Sequence, residues 1–311
     1  MIFFFYGPNS YEARQQIGKL ARDYEQKSGS NFGLERIDGA KAKPDELQAA
    51  LQASPFLANS RLVIIEDLGL NKALAPKIND FIEDIPSTTI GVFYDPAVDQ
   101  RTTYFKTLSS KARTVKFEPL LPAKLQIWVS RQAKAAGAEI ERPALMRILE
   151  LAGEDQWRLS NEISKLAAYR SPITLEAVNE QVEEGSSETI FNLVEAMTAG
   201  KTTQAMQGYQ KLRQEGQNEI YMLSMVIWQL RNLLIAKTAG TVTSAQLAKA
   251  ASMSPYVAGK MLAKRHLFAE ESLKQAFLEA VDTEYKIKSG AGAADILVEQ
   301  LIYRIAGRIK N

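Results

Sequence analysis

Up to residue 118 the chain keeps switching its hydrophobic period. Short apolar or β-branched runs at 2–6, 33–38, 62–65, 89–94 and 114–117 alternate with segments whose apolar residues recur at helical spacing. Three of these runs are continuously apolar or β-branched, the pattern of strands buried on both faces. Between them, Asn9 with Glu12 forms a capping-box-like start, and Ile17, Leu20, Ala21 and Tyr24 follow as a helical stripe. Pro44 stands at a first helical position ahead of Leu47 and Leu51, and further helices are expected over 74–83 and 101–111. Strand–helix alternation of this kind restricts the fold to a parallel sheet covered by helices on both faces.

The strand signal stops at Pro119 and Pro122. Four helices are predicted next, over 123–136, 143–152, 156–169 and 174–183, with Thr174 as an N-cap and Gly137 and Gly153 as stops. Gly185-Ser186-Ser187 reads as a linker. Residues 188–309 are helical throughout, their longest stripe running through Ile220, Leu223, Ile227, Leu230 and Leu234. The expected architecture is α/β plus all-α, with an α/β domain at 1–120, a small helical domain at 121–185 and a larger helical domain at 186–311.

Composition narrows the function. With 46% apolar and 24% charged residues a folded chain is expected. No apolar run approaches the roughly 20 residues of a membrane helix. The start, MIFFFYGPNS, lacks the basic region and cleavage site of a signal peptide. The absence of Cys excludes disulfides and thiolate metal sites and is compatible with the cytoplasm, and a single His, His266, excludes Cys/His catalysis and multi-His metal sites. The net charge is +2, yet residues 201–311 hold 15 basic and 9 acidic side chains. A mildly basic last third suits nucleic acid or an acidic partner, although ordinary solvated helix faces are the simpler account.

Several places resemble catalytic motifs without meeting their requirements. Gly7-Pro8-Asn9-Ser10 sits where a phosphate-binding loop would, between the first strand and helix, but the Gly-Lys-Ser/Thr ending is missing. Gly200-Lys201-Thr202 spells that ending, but Glu195 stands where its first Gly belongs and a helix precedes it, so Gly200 reads as a helix stop. Glu66-Asp67 follows a strand as metal-binding acids do in nucleotide hydrolases, yet without the loop it reads as a surface turn. His266 reads as a surface or cap residue. No catalytic residue, cofactor or metal is expected. Ser54-Pro55-Phe56-Leu57-Ala58-Asn59-Ser60-Arg61 is different, because it sets an aromatic–aliphatic pair behind a proline in a short loop, a pattern suited to a partner's apolar pocket. By pattern alone, the favoured reading is that both side chains fold back on their own sheet.

Seven segments in this order resemble the delta subunit of the bacterial DNA polymerase III clamp loader. They are FFFYGPNSYEARQQIGKL, SPFLANSRLVIIEDL, GEDQWRLSNEISKLAAY, IFNLVEAMTAGK, IYMLSMVIWQLRNLLIAK, SMSPYVAGKMLAKRHLFAEESL and DTEYKIKSG. The resemblance implies a degenerate AAA+ (P-loop-NTPase-like) module without its own ATPase, a helical lid and a helical collar, within the DNA polymerase III holoenzyme. It implies partners as well: the sliding clamp (beta subunit), the gamma/tau and delta prime subunits through the collar, and primed DNA inside the assembly. It assigns clamp binding to Phe56 with either Pro55 or Leu57 as its hydrophobic neighbour; the helix ending near Ala53 is our own candidate for a lever behind them. Lys260, Lys264 and Arg265 fall at helical spacing, as candidates for phosphate or collar contact. The competing readings are an active AAA+ NTPase and a DNA-binding scaffold without a clamp.

Overall fold

In the computed structural model all residues are described except 30, 56–58, 184 and 309–311, together with the side chains of residues 186–188. The chain divides into two compact units, residues 1–119 and 120–311.

The first unit is built on five parallel strands. β1 (Ile2–Tyr6), β2 (Leu34–Asp38), β3 (Arg61–Glu66), β4 (Thr89–Asp95) and β5 (Arg113–Lys116) lie in the order β2-β3-β4-β1-β5. The strand runs read from sequence are all present, with ends shifted by a residue. Helices α1 (Ser10–Ser28), α2 (Pro44–Gln52), α3 (Ile78–Ile82) and α4 (Thr103–Lys111) connect them. The pleat sends alternate side chains to opposite faces. Phe5, Leu62, Ile64, Val92 and Tyr94 meet Ala13, Ile17, Ala21 and Tyr24 of α1 on one face. On the other, Phe4, Val63, Ile65 and Phe93 meet Leu47 and Leu51 of α2, Ile78 and Phe81 of α3, and Tyr104 and Leu108 of α4. Each such side chain, fully buried, contributes roughly 1.5–3 kcal/mol.

The helix expected over 74–83 is shorter than its pattern. A 3-10 turn at Ala75–Lys77 precedes α3, because Pro76 lacks an amide proton and suits only the opening of a helix. Asn9 caps α1 as expected, its Oδ1 accepting from the Glu12 amide at 3.1 Å.

The second unit is helical. It opens with α5 (Pro122–Ala135), α6 (Arg142–Ala152), α7 (Gln156–Tyr169) and α8 (Leu175–Gln181), with Thr174 capping α8 and one parallel bridge joining Ile140 to Ile173. It continues with α9 (Ser186–Thr198), α10 (Thr202–Gln214), α11 (Glu219–Thr238), α12 (Ser244–Ala251), α13 (Pro255–Lys264), α14 (Glu270–Lys288) and α15 (Ala294–Arg308). The linker expected at 185–187 is instead a helix start. Gly185 is the N-cap of α9 and its amide donates to Leu151 O at 3.0 Å. Gly and Ser serve helix starts as readily as flexible spacers.

The stripe expected on α11 is also displaced. Ile220 is 41% exposed, while Met222, Leu223, Val226, Leu230 and Leu233 are buried. This helix packs against α9, α12, α13, α14 and α15, whose apolar residues form one cluster with it, so no single stripe describes it. Among the described residues no helix is long and apolar enough to cross a membrane.

Two interactions pin the carboxyl ends of the strands. At the β1–α1 turn Gly7 has φ +115, and a Cβ there would lie 2.3 Å from Phe117 O. At the end of β4 the buried carboxylate of Asp95 accepts from the Gly69 amide at 2.8 Å and from the Tyr104 hydroxyl. Burial pushes the Asp95 carboxyl above its ordinary range, and the Tyr104 and Gly69 hydrogen bonds partly offset this.

Gly7→Ala is therefore expected to destabilise the protein by about 1–3 kcal/mol in urea unfolding. Tyr104→Phe removes one donor from a buried acceptor and is expected to cost about 1–3 kcal/mol at pH 8. The cost should shrink on acidification. Asp95 binds its proton more tightly folded than unfolded, so this group's contribution improves as pH falls through its raised folded value towards the ordinary carboxylate range. Urea titrations at pH 8 and pH 5 check the sign; a cost that grows on acidification contradicts it.

Candidate functional site

The loop between α2 and β3 carries the candidate tip, and its base is built by three side chains. α2 begins at Pro44, its Leu47, Ala50 and Leu51 are buried, and it ends at Ala53, whose backbone turns to an extended conformation. Beyond Ala53, Ser54 is exposed and Pro55 half-buried. The chain re-enters the sheet at Arg61. The Arg61 side chain is 16% exposed and its guanidinium makes two contacts: with Glu35 at 2.5 Å, and with Ala53 O at 3.5 Å. The Tyr24 hydroxyl donates to Ser60 O at 2.7 Å. Both flanks of the loop are thereby tied to the sheet and to α1. Phe56 and Leu57 lie outside the described residues.

The turn where a phosphate loop would sit is engaged by its own chain. The Gly7 amide donates to Asp95 O at 3.4 Å, and the Asn9 amide to Phe117 O at 3.1 Å. Asn9 Nδ2 donates to Glu118 O at 3.1 Å. Glu66 ends β3 paired with Arg14 at 2.6 Å and Arg36 at 3.9 Å, and Asp67 follows in the left-handed region at φ 59. Beside them Gly69, Leu70, Pro96, Val98 and Tyr104 line a mainly apolar cleft of about 630 Å³. Among the described residues no group of three or more His, Asp or Glu is placed to hold a metal ion.

The remaining candidates lie in the second unit. Gly200 has φ +72 just beyond α9, the geometry of a helix stop. Lys260 and Lys264 of α13 both lie over the Phe191 ring, at 4.0 and 4.9 Å, and Lys264 pairs with Glu195 at 2.6 Å. Arg265 donates to the carbonyls of Ala236 and Gly240 at the end of α11, and His266 is exposed in a 3-10 turn. Lys264 and Arg265 thus have partners within their own unit. Glu154 is half-buried between α6 and α7, and desolvation raises its carboxyl above the ordinary range against a hydrogen bond from Ser254.

The loop base escaped the sequence reading. Arg61 looks like the first residue of a strand, and its partner Glu35 is 26 positions away. An arginine flanking an apolar loop was the one available hint.

Two family profiles match this chain. The profile for DNA polymerase III, delta subunit, covers residues 3–118, and that for the DNA polymerase III delta subunit, C-terminal domain, covers residues 187–305. DNA polymerase III subunit delta of Bacillus subtilis (strain 168) is 21% identical over 323 aligned positions, which span 99% of this chain and 93% of that one. A solved structure, the Bacillus subtilis DNA clamp loader delta protein, superposes with a TM-score of 0.67 at 20% identity, covering 98% of this chain and 95% of its own. The fold is therefore shared across nearly the whole length. With the two profiles matching both the sheet unit and the larger helical segment, the chain belongs to the DNA polymerase III delta subunit family.

Proposed function

We propose that this chain binds a ring-shaped sliding clamp through the tip at residues 55–57 and opens the ring for loading onto primed DNA, without hydrolysing ATP itself. The observation that carries the reading is the anchored loop base. A short loop bearing Pro55, Phe56 and Leu57 leaves the sheet between two fixed points, Ala53 and Ser60, in a chain of the delta subunit family. Fixing the two flanks in advance lowers the ordering cost of binding at the base of the loop. Opening then needs no chemistry. The tip has only to bind the open ring better than the closed one, since a ligand shifts an equilibrium through differential affinity alone. In this reading α2 is the lever behind the tip.

The engaged β1–α1 turn supports assigning ATP hydrolysis to other subunits. A phosphate cradle needs free backbone amides and a lysine. The amides of Gly7 and Asn9 are bonded to Asp95 O and Phe117 O, and the Gly-Lys-Ser/Thr ending that would supply the lysine is missing. We assign residues 1–120 to clamp binding, 121–185 to a lid, and 186–311 to a collar joining the gamma/tau and delta prime subunits in the cytoplasmic holoenzyme.

The test is calorimetry with the sliding clamp of the same organism. Phe56→Ala/Leu57→Ala is expected to weaken binding by at least about 2 kcal/mol, as truncation of interface anchors does. Pro55→Ala alone shows whether proline or leucine partners Phe56. Arg61→Ala, which frees the base but keeps the tip, is expected to cost about 1 kcal/mol. Equal binding by native and double variant would displace the site, and no binding by the native chain would sink the reading.

A further inference from the structure

Residues 119–138 and residues 220–269, the latter the longest such stretch of the chain, contain no Asp or Glu, although the chain holds 36 acidic residues among 311. The fold brings these two stretches together. At Gly259 of α13, a Cβ would lie 3.7 Å from Pro122 Cγ, the first residue of α5, and 3.8 Å from Ser244 Cβ, the first residue of α12. Three helices that meet at one point thus carry lysines and an arginine and no carboxylate.

Their cations divide into two groups. Lys260 and Lys264 are drawn over Phe191, and Lys264 is neutralised by Glu195. Lys124, Arg131 and Lys134 of α5 and Lys249 of α12 are exposed, and among the described residues their side chains make no ion pair or hydrogen bond. On α5 the three fall at i, i+7 and i+10. At 3.6 residues per turn and 1.5 Å rise they occupy an arc of roughly 80° and a length of about 15 Å. Lys124 stands in the first turn, where the helix dipole disfavours a cation, and no side chain caps that end at Leu121. The positive end of α5 is left without internal compensation.

From this we infer that the face of α5 carrying Lys124, Arg131 and Lys134 is a binding surface for the phosphate backbone of DNA. The composition of the face selects the partner. Lysine is depleted from the cores of protein–protein interfaces, which favour aromatic anchors, whereas a row of flexible point charges suits phosphates along a strand. Ile127 is the one large apolar side chain exposed on that helix face. The inference rests on the proposed function only in taking DNA as the polyanion present. It moves the expected nucleic-acid contact away from Lys264 and Arg265.

The test measures binding of the full chain to a fluorescent primer–template DNA over a salt series by anisotropy. Lys124→Ala/Arg131→Ala/Lys134→Ala is expected to weaken binding at low salt and to flatten the slope of log K against log salt by about 2 to 3, nearly one unit per lost phosphate contact. Lys19→Ala/Lys27→Ala/Lys106→Ala removes the same charge from the first unit and is expected to leave the slope unchanged. Equal slopes for the two triple variants overturn the inference. So does a native chain that ignores the DNA yet binds a polyglutamate peptide, which would make the face a site for an acidic protein. Clamp calorimetry on the α5 variant is expected to match the native chain, so a failed DNA arm leaves the clamp reading intact, and the reverse.

Discussion

Neighbouring side chains of β1, β3 and β4 point to opposite faces of one sheet, and both faces are dry. That constraint sets the register, because a slip of one residue would exchange the two sets of buried side chains between helices of different shape. Phe4 and Phe5 illustrate it: adjacent in sequence, each is buried, one against α4 and the other against α1. The same constraint puts β1 between β4 and β5. The turn that leaves β1 must then pass beneath the carbonyls of Asp95 and Phe117, and Gly7 is the residue that lets it do so. Topology, rather than any single motif, brings the chain's own backbone into the place where a nucleotide hydrolase would hold phosphate.

The second unit follows a different rule. Helix α11 is buried on most of its circumference, and its neighbours each supply a narrow apolar stripe to it. Even polar Gln229 and Asn232 are enclosed on it.

The strands were legible because β-branched and aromatic runs of that length have few alternatives. Thr174, Asn9 and Pro44 were legible because capping is local. What sequence did not reveal was contextual. Pro76 divided a periodic segment into a 3-10 turn and a short helix, and Gly185-Ser186-Ser187 forms a helix start whose Gly185 amide donates to the distant Leu151 O. The stripe on α11 misled because a helix packed on many sides has no single stripe. For the candidate site, composition and resemblance pointed to Pro55, Phe56 and Leu57, while the Arg61–Glu35 and Tyr24–Ser60 contacts join residues 26 and 36 positions apart and leave no periodic trace. The lysines of α13 were visible as a helical row, but their attachment to Phe191 and Glu195 was not.

The pinned flanks of the α2–β3 loop separate what the loop carries from what holds it. The entropy of closing a loop rises by only about 0.6 kcal/mol per doubling of its length. With Arg61 and Tyr24 fixing its ends, extra residues between them would leave α2 and β3 where they are. Such a segment can be exchanged, lengthened or grafted as a cassette, so relatives could retune their choice of partner by rewriting a few residues while the sheet beneath stays the same.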